Sequence, residues 1–209
     1  DPDLTFEVTS DARAALTGVD YIITTIRAGG DAGRLFDEQT CLAHGVLGQE
    51  TTGAGGFAMA IRSVPTLVYY CTLAREVANP GHLIFNFTNP SGIITQALRS
   101  KGFDNVYGIC DAPSGFIKQL EEILEIPYGT LDIECYGLNH LSWFRNAKVN
   151  GRDVQRELLD NPRTYEHSEM RLFTREMARI SGDCMLNEYL YFYYRRVKSL
   201  SMIQKADHP

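Results

Sequence analysis

Two side chains with metal-ligand chemistry stand at the ends of short apolar runs. Cys110 closes VYGIC and His140 closes YGLNH. A thiolate and an imidazole can share one cation if the fold brings two strand ends together. In an open parallel sheet the strand C-termini converge on one crevice, and ligands bind there. Neither residue belongs to a CxxC or HExxH spacing, and a buried cysteine often serves only as a small apolar side chain.

Other stretches add polar groups beside glycines. Residues 48–56, GQETTGAGG, hold four glycines with Glu50 among them and enter a long apolar helical pattern. Such a loop either holds a ligand on backbone N–H groups at the helix start or is a flexible surface segment. Arg27-Ala28-Gly29-Gly30 follows the β-branched run Tyr21–Ile26, where glycine lets backbone approach a ligand closely; a plain turn is the alternative. Asn89 precedes Pro90, which holds it extended and would aim its amide into the crevice unless it is simply a turn residue. Near the end, NEYLYFYY places aromatics on a helix, and spacing alone selects no tyrosine as a catalytic phenol.

The elements that must position these groups follow an α/β pattern. Strands are predicted at Tyr21–Ile26, which reads as buried on both faces, at Leu83–Phe87, also buried, and at Val106–Cys110, each followed by a polar turn and a helix. A weak strand is expected from Leu4 to Val8. Pro65 should kink or break the long helix Phe57–Val77. Repeated strand–helix units with polar strand ends make a doubly wound, Rossmann-like sheet. After His140 the pattern changes: Asn150-Gly151 signals a hairpin, and the chain is helical from Val154 on. The predicted organisation is a Rossmann-like domain over residues 1–130 and part of an α+β substrate domain over 131–209.

Net charge is −6 with no basic run, which argues against nucleic acid as a partner. No apolar run of membrane-spanning length and no signal peptide stand out, so no membrane association is expected. Five irregularly spaced cysteines suit a reducing, cytoplasmic setting better than a disulfide scaffold. The first and last residues, DPDLTFEVTSD and IQKADHP, read as an internal piece of a longer protein.

Five motifs occur in order: IRAGGDAGRLFDE, GVLGQETTGAGGFAMAIRSVP, FNFTNPSG, GICDAP and YGLNHLSWF. Together they resemble the NAD- and metal-dependent glycosidases of glycoside hydrolase family 4, over nearly the whole chain. QETTGAGGFAMA and GLNHLSW are most similar to the 6-phospho-β-glucosidase branch. The resemblance implies a fold like that of lactate and malate dehydrogenases. The family's phosphate-binding glycine turn belongs on an earlier strand than any here, so the first domain would lack its first βαβ unit.

The chemistry implied departs from the two-carboxylate scheme of most glycosidases. NAD⁺ takes a hydride from the sugar C3, a base removes the C2 proton, the leaving group departs from C1, and the hydride is returned after water adds. A divalent ion, usually Mn²⁺, acts as Lewis acid on the C2 and C3 oxygens. Position by position, the resemblance makes Cys110 and His140 the metal ligands and Tyr189 the base. Asn187 stands where the family has proline, so the base could instead be Tyr191. Glu50 matches an acidic residue near the metal and its water. Arg27, Gly29, Gly30 and Asn89 would bind the cofactor, and Arg34, Asn89 and Asn139 the substrate. The implied substrate is a small phosphorylated disaccharide or an aryl glucoside, and the full-length protein is expected to be a homodimer or homotetramer.

Asp111 follows the ligand cysteine where the β-specific branch commonly has Asn. The α-specific branch has Asp, which looks like its general acid; Asp111 could also simply cap the helix starting near Pro113. Several motifs outweigh this one residue, and a 6-phospho-β-glucosidase is the reading. Alternatives are a 6-phospho-α-glucosidase, an NAD-dependent hydroxy-acid dehydrogenase, or a fragment inactive in isolation.

Overall fold

The computed structural model describes residues 5–205. It divides into two compact units between Ile109 and Cys110. The first begins with α1 (Ala12–Leu16), capped by Asp11, whose side chain accepts from the Arg13 and Ala14 amides. Next come β1 (Tyr21–Thr24), α2 (Gly30–Ala43), α3 (Gly53–Val77), β2 (Leu83–Asn86), α4 (Ser91–Ser100) and β3 (Val106–Gly108). Residues 5–8 form no strand; Leu4, where a strand was expected to begin, lies outside the described residues.

The three strands form a parallel sheet in the order β1-β2-β3, with Ile22 opposite Ile84 and Ile84 opposite Val106. Alternation along each strand sends Ile84 and Val106 into a core with Leu67, Cys71 and Ala74 of α3 and Ile94 and Leu98 of α4. Burial on both strand faces, as predicted, does not hold. Tyr21, Ile23 and Tyr107 are 71%, 65% and 47% exposed, because the described helices core only the other face.

Two expectations for α3 also change. The helix is long and apolar enough to cross a membrane by length and composition alone, contrary to the prediction. Its Leu67, Cys71 and Ala74 are buried in the core described above. It also runs unbroken through Pro65. Proline removes one backbone bond there, and the carbonyl it would have used belongs to exposed Ile61, where water can satisfy it.

The second unit holds α5 (Ala112–Leu124), β4 (Leu131–Leu138), β5 (Leu141–Val149), β6 (Arg152–Asp153), α6 (Gln155–Asp160), α7 (Thr164–His167), a 3₁₀ turn (Glu169–Leu172), α8 (Arg175–Ile180), β7 (Met185–Leu186), α9 (Glu188–Tyr194) and α10 (Arg196–Lys205). The antiparallel sheet is centred on β5, which pairs with β4, β6 and β7. Asn150 and Gly151 turn β5 into β6 with φ of 52° and 80°, the conformation that favours Asn-Gly in hairpins.

Helix α5 shares the second core. Its Phe116, Leu120 and Ile123 pack with Phe144, Leu158 and Met170. Phe116 meets Phe144 edge-on at 4.8 Å between ring centres. Removing one such ring's area from water is worth about 1.5–3 kcal/mol, enough to hold α5 against β5.

Candidate active site

The residues singled out in the sequence fall into two groups, one in each unit. In the second unit, Cys110 Sγ lies 3.4 Å from His140 Nε2. Bonds of about 2.3 Å to sulfur and about 2.0–2.1 Å to nitrogen, as in zinc sites, put two ligands of one ion about 3.1–3.6 Å apart at angles of about 90–110°. The pair therefore has the spacing of two donors to a single cation. Among the described residues no third His, Cys, Asp or Glu completes a metal-binding group.

His140 reaches this position from a tight turn. Leu138 pairs with Leu141, so Asn139 and His140 connect β4 to β5. His140 is thus at the tip of an antiparallel hairpin, not at the end of a parallel strand as predicted. Its φ is +59°, a left-handed conformation that non-glycine residues seldom adopt and that clusters at functional sites. Burial pushes the imidazole below the ordinary histidine range, against the opposing pull of Glu188 and Asp111. The neutral ring, which is the ligand form, is therefore favoured. Nδ1 is buried without a hydrogen-bond partner in the structure. The ring is instead stacked on Tyr189, 4.6 Å between centres and 24° from parallel.

That stack separates the two candidate tyrosines by geometry. Tyr189 borders His140, whereas Tyr191 packs edge-on to Phe173 and its hydroxyl donates to Met202 Sδ at 3.8 Å. Tyr189 is set by the start of α9. Asn187 is the N-cap, accepting from the Tyr189 amide, a role that proline cannot fill. Glu169 Oε2 in turn accepts from Asn187 Nδ2 at 2.8 Å and from the Glu188 amide at 3.2 Å. Burial, with the nearby charge of Glu188, pushes the Glu169 carboxyl up to about 7.

Asp111 sits at the N-cap position of α5, but its side chain makes no capping bond. The capping role considered for it is therefore not what the carboxylate does. It is exposed, with Oδ1 4.0 Å from Cys110 Sγ. Asn139 is exposed in the turn beside His140.

In the first unit, the ends of β1 and β2 and the start of α3 line a cavity of about 390 Å³. Arg27, Glu50, Met59, Thr88 and Asn89 are among its walls. Its volume lies within the range of about 300–1,000 Å³ typical of small-molecule sites. Glu50 Oε1 accepts from Asn89 Nδ2 at 3.2 Å. Glu50 Oε2 lies 3.4 Å from Arg27 Nη2 and 3.6 Å from Arg34 Nε, close enough for ion pairing. It is buried and has these two guanidinium groups as its partners, with no hydrogen bond beside them. Arg34 Nε also donates to buried Glu38, at 2.9 Å. Gly29 and Gly30 adopt φ of 89° and 62° as the chain turns from Arg27 into α2.

The glycine-rich loop before α3 has a different explanation from the one its composition suggests. A Cβ at Gly55 would come 2.6 Å from the Gln49 carbonyl oxygen, and one at Gly56 2.9 Å from the Thr51 carbonyl carbon. At Gly48 it would lie 2.5 Å from the Glu38 carbonyl oxygen. These glycines let the loop fold tightly onto α2 and α3, which in turn holds Glu50 in place.

Sequence reasoning passed over several residues that support these groups. Partly buried Arg62 pairs with buried Asp37 between α3 and α2. Asn86 is fully buried, accepting from Thr24 Oγ1 and donating toward the Thr88 and Ser91 carbonyls. A charged residue inside an apolar helix and an asparagine inside a strand were the available signals.

A model described as family 4 glycosyl hydrolase matches residues 1–126, and one for the C-terminal domain of family 4 glycosyl hydrolases matches residues 135–208. The chain is 38% identical over 148 residues to the 6-phospho-β-glucosidase BglT of Thermotoga maritima, covering 70% of this chain and 35% of that protein. It is 35% identical over 156 residues to 6-phospho-α-glucosidase 1 of Lacticaseibacillus paracasei, covering 73% of this chain and 35% of the relative. Among solved structures, the Thermotoga maritima 6-phospho-β-glucosidase with manganese, NAD⁺ and glucose-6-phosphate superposes with a TM-score of 0.83 at 32% identity. That match covers 96% of this chain and 47% of the other. The chain thus spans less than half the length of the relatives it matches.

Proposed function

The chain belongs to family 4 of the glycosyl hydrolases, and from that footing we propose that the protein hydrolyses 6-phospho-β-glucosides with NAD and a divalent metal ion. The observation that carries this reading is the Cys110–His140 pair, 3.4 Å apart, with its imidazole stacked on Tyr189. The relatives, 6-phospho-glucosidases crystallised with manganese and NAD⁺, support the substrate class and both cofactors. The setting we propose is cytoplasmic, in keeping with five cysteines that are all free.

The residues present fit both groups. Cys110 Sγ and His140 Nε2 would hold the cation, and the favoured neutral imidazole keeps a lone pair for it. A bound divalent ion supplies Lewis acidity toward oxygens of the sugar. The cavity at the β1 and β2 ends suits a nicotinamide, since ligands of parallel sheets bind outside the strand C-termini. Bound NAD supplies a hydride acceptor for the sugar C3, which makes the C2 proton acidic.

The chain's own side chains then have distinct tasks. The Tyr189 phenol takes the C2 proton; phenols in water titrate near ~10, so such a base calls for nearby positive charge near neutral pH. Its stack on His140 fixes the ring plane, so the hydroxyl has a set direction. Arg34 and Asn89 orient the sugar, with Asn139 at the hairpin turn as a further substrate contact. Glu50 fixes the Asn89 amide through Oε1, while Arg27, Gly29 and Gly30 form the turn against the cofactor.

One observation favours the α-anomer as a second reading. The Asp111 side chain makes no capping bond, is exposed and lies 4.0 Å from Cys110 Sγ, where its carboxylic acid form would serve as a proton donor to a leaving-group oxygen. The test is turnover of p-nitrophenyl 6-phospho-β-glucoside against the α-isomer by the complete protein, with NAD⁺ and Mn²⁺. Preference for the β-substrate is expected. Exclusive use of the α-substrate would establish the second reading, and activity without NAD⁺ or metal would refute both.

A further inference from the structure

Arg62 makes contacts that the reaction scheme above does not use. Its guanidinium is paired through both terminal nitrogens with the buried carboxylate of Asp37, Nη1 lying 3.1 Å from Oδ1 and Nη2 bonding Oδ2. The remaining nitrogen, Nε, donates a hydrogen bond to the Ala28 carbonyl at 3.2 Å, and Nη2 also lies 3.6 Å from Met59 Sδ. One planar group thus ties α3, through Arg62, to α2, through Asp37, and to the turn that leaves β1.

A second observation is independent of these hydrogen bonds. A Cβ at Gly29 would lie 3.0 Å from Arg62 Nε, and one at Gly33 3.4 Å from Nη2. Side chains are missing where the guanidinium lies against the backbone. Gly29 is also at φ 89° as the N-cap of α2. The turn and the first turn of α2 are therefore shaped around Arg62. Arg27, next to Ala28, lines the cavity and pairs with both Asp31 and Glu50.

We propose that Arg62 is a positioning residue: clasped by Asp37, it latches the Arg27–Gly30 turn by the Ala28 carbonyl and so fixes the wall of the cavity where Arg27 stands. This rests on the reading that the cavity takes the nicotinamide cofactor. The latch needs the rigid fork of arginine. A lysine ammonium is a single point donor on a flexible stem and cannot meet both Asp37 oxygens and the Ala28 carbonyl in fixed geometry.

The test uses the complete protein with Arg62→Lys, and Asp37→Asn should the first variant fold poorly. NADH binding is read by calorimetry, and amide hydrogen exchange is followed over residues 28–33. We expect NADH affinity to fall about tenfold and exchange at Gly29–Gly33 to quicken at least tenfold, while exchange in the α4 core stays unchanged. Unaltered exchange in the turn, or affinity within twofold of wild type, would overturn the latch, and a merely structural role would lower melting temperature without moving affinity. If the wild-type protein binds no NADH, the cofactor reading falls, and the latch stands or falls on the exchange result alone.

Discussion

Replacing Glu169 by Gln should change how stability depends on pH in a direction the geometry dictates. Glu169 is half-buried, and its Oε2 already serves two donors at the start of α9, Asn187 Nδ2 and the Glu188 amide. Burial comes first among the causes that push its carboxyl up to about 7 from an ordinary 4.5. Between those two values the folded protein keeps a proton that the unfolded chain has lost. Folding is therefore favoured most below pH ~4.5, and this contribution is lost as pH rises through ~7, then stays flat. A difference of about 2.5 units, at 1.36 kcal/mol each, sets an upper bound of about 3 kcal/mol on the change. Glutamine accepts the same two hydrogen bonds and cannot ionise. Glu169→Gln should match wild type near pH 4.5 and exceed it in stability by up to about 3 kcal/mol at pH 8. Urea unfolding at pH 5, 6, 7 and 8, followed by Trp143 fluorescence, measures this directly, since Trp143 is the sole tryptophan. Parallel wild-type and variant curves across that window would refute the reasoning.

Two further outcomes follow from the second unit. Asp111→Asn should reduce turnover of 6-phospho-α-glucosides with poor leaving groups by about 10² or more, the usual contribution of a general acid, while an activated aryl β-glycoside is nearly unaffected; steady-state rates on both substrates check it, and equal losses would deny Asp111 an acid role. Phe144→Ala empties a fully buried site opposite Phe116 and should cost about 3–5 kcal/mol, read as a lower urea midpoint for Trp143; a change under about 1 kcal/mol would mean that α5 is held by other contacts.

The parts of the fold with a short sequence period were legible, and those set by distant neighbours were not. The parallel strands, the turns after them and the Asn150-Gly151 hairpin announce themselves through β-branched runs and turn residues. His140 was placed at a parallel strand end because its turn contains no glycine; a two-residue connection with histidine at φ +59° leaves no compositional mark. The composition of the glycine loop suggests a ligand-holding or a flexible surface segment, while Gly48, Gly55 and Gly56 are required by backbone approaching within the loop and from α2. Arg62 was lost inside an apolar helix because its partners, Asp37 and Ala28, lie far off in sequence. In sequence α5 follows the strand–helix rhythm, and only the packing shows that its apolar face meets Phe144 and Met170. Helical spacing does not say which tyrosine ring meets His140; in the structure that ring is Tyr189.

The central claim is that Cys110 and His140 hold one divalent ion together, and manganese binding tests it most directly. Titrating the complete protein with Mn²⁺ and following the free-ion resonance gives both stoichiometry and affinity. Wild type should take up one ion per chain, and Cys110→Ser and His140→Ala should each weaken uptake at least tenfold while circular dichroism stays unchanged. Full-affinity binding of one ion by both variants would contradict the account.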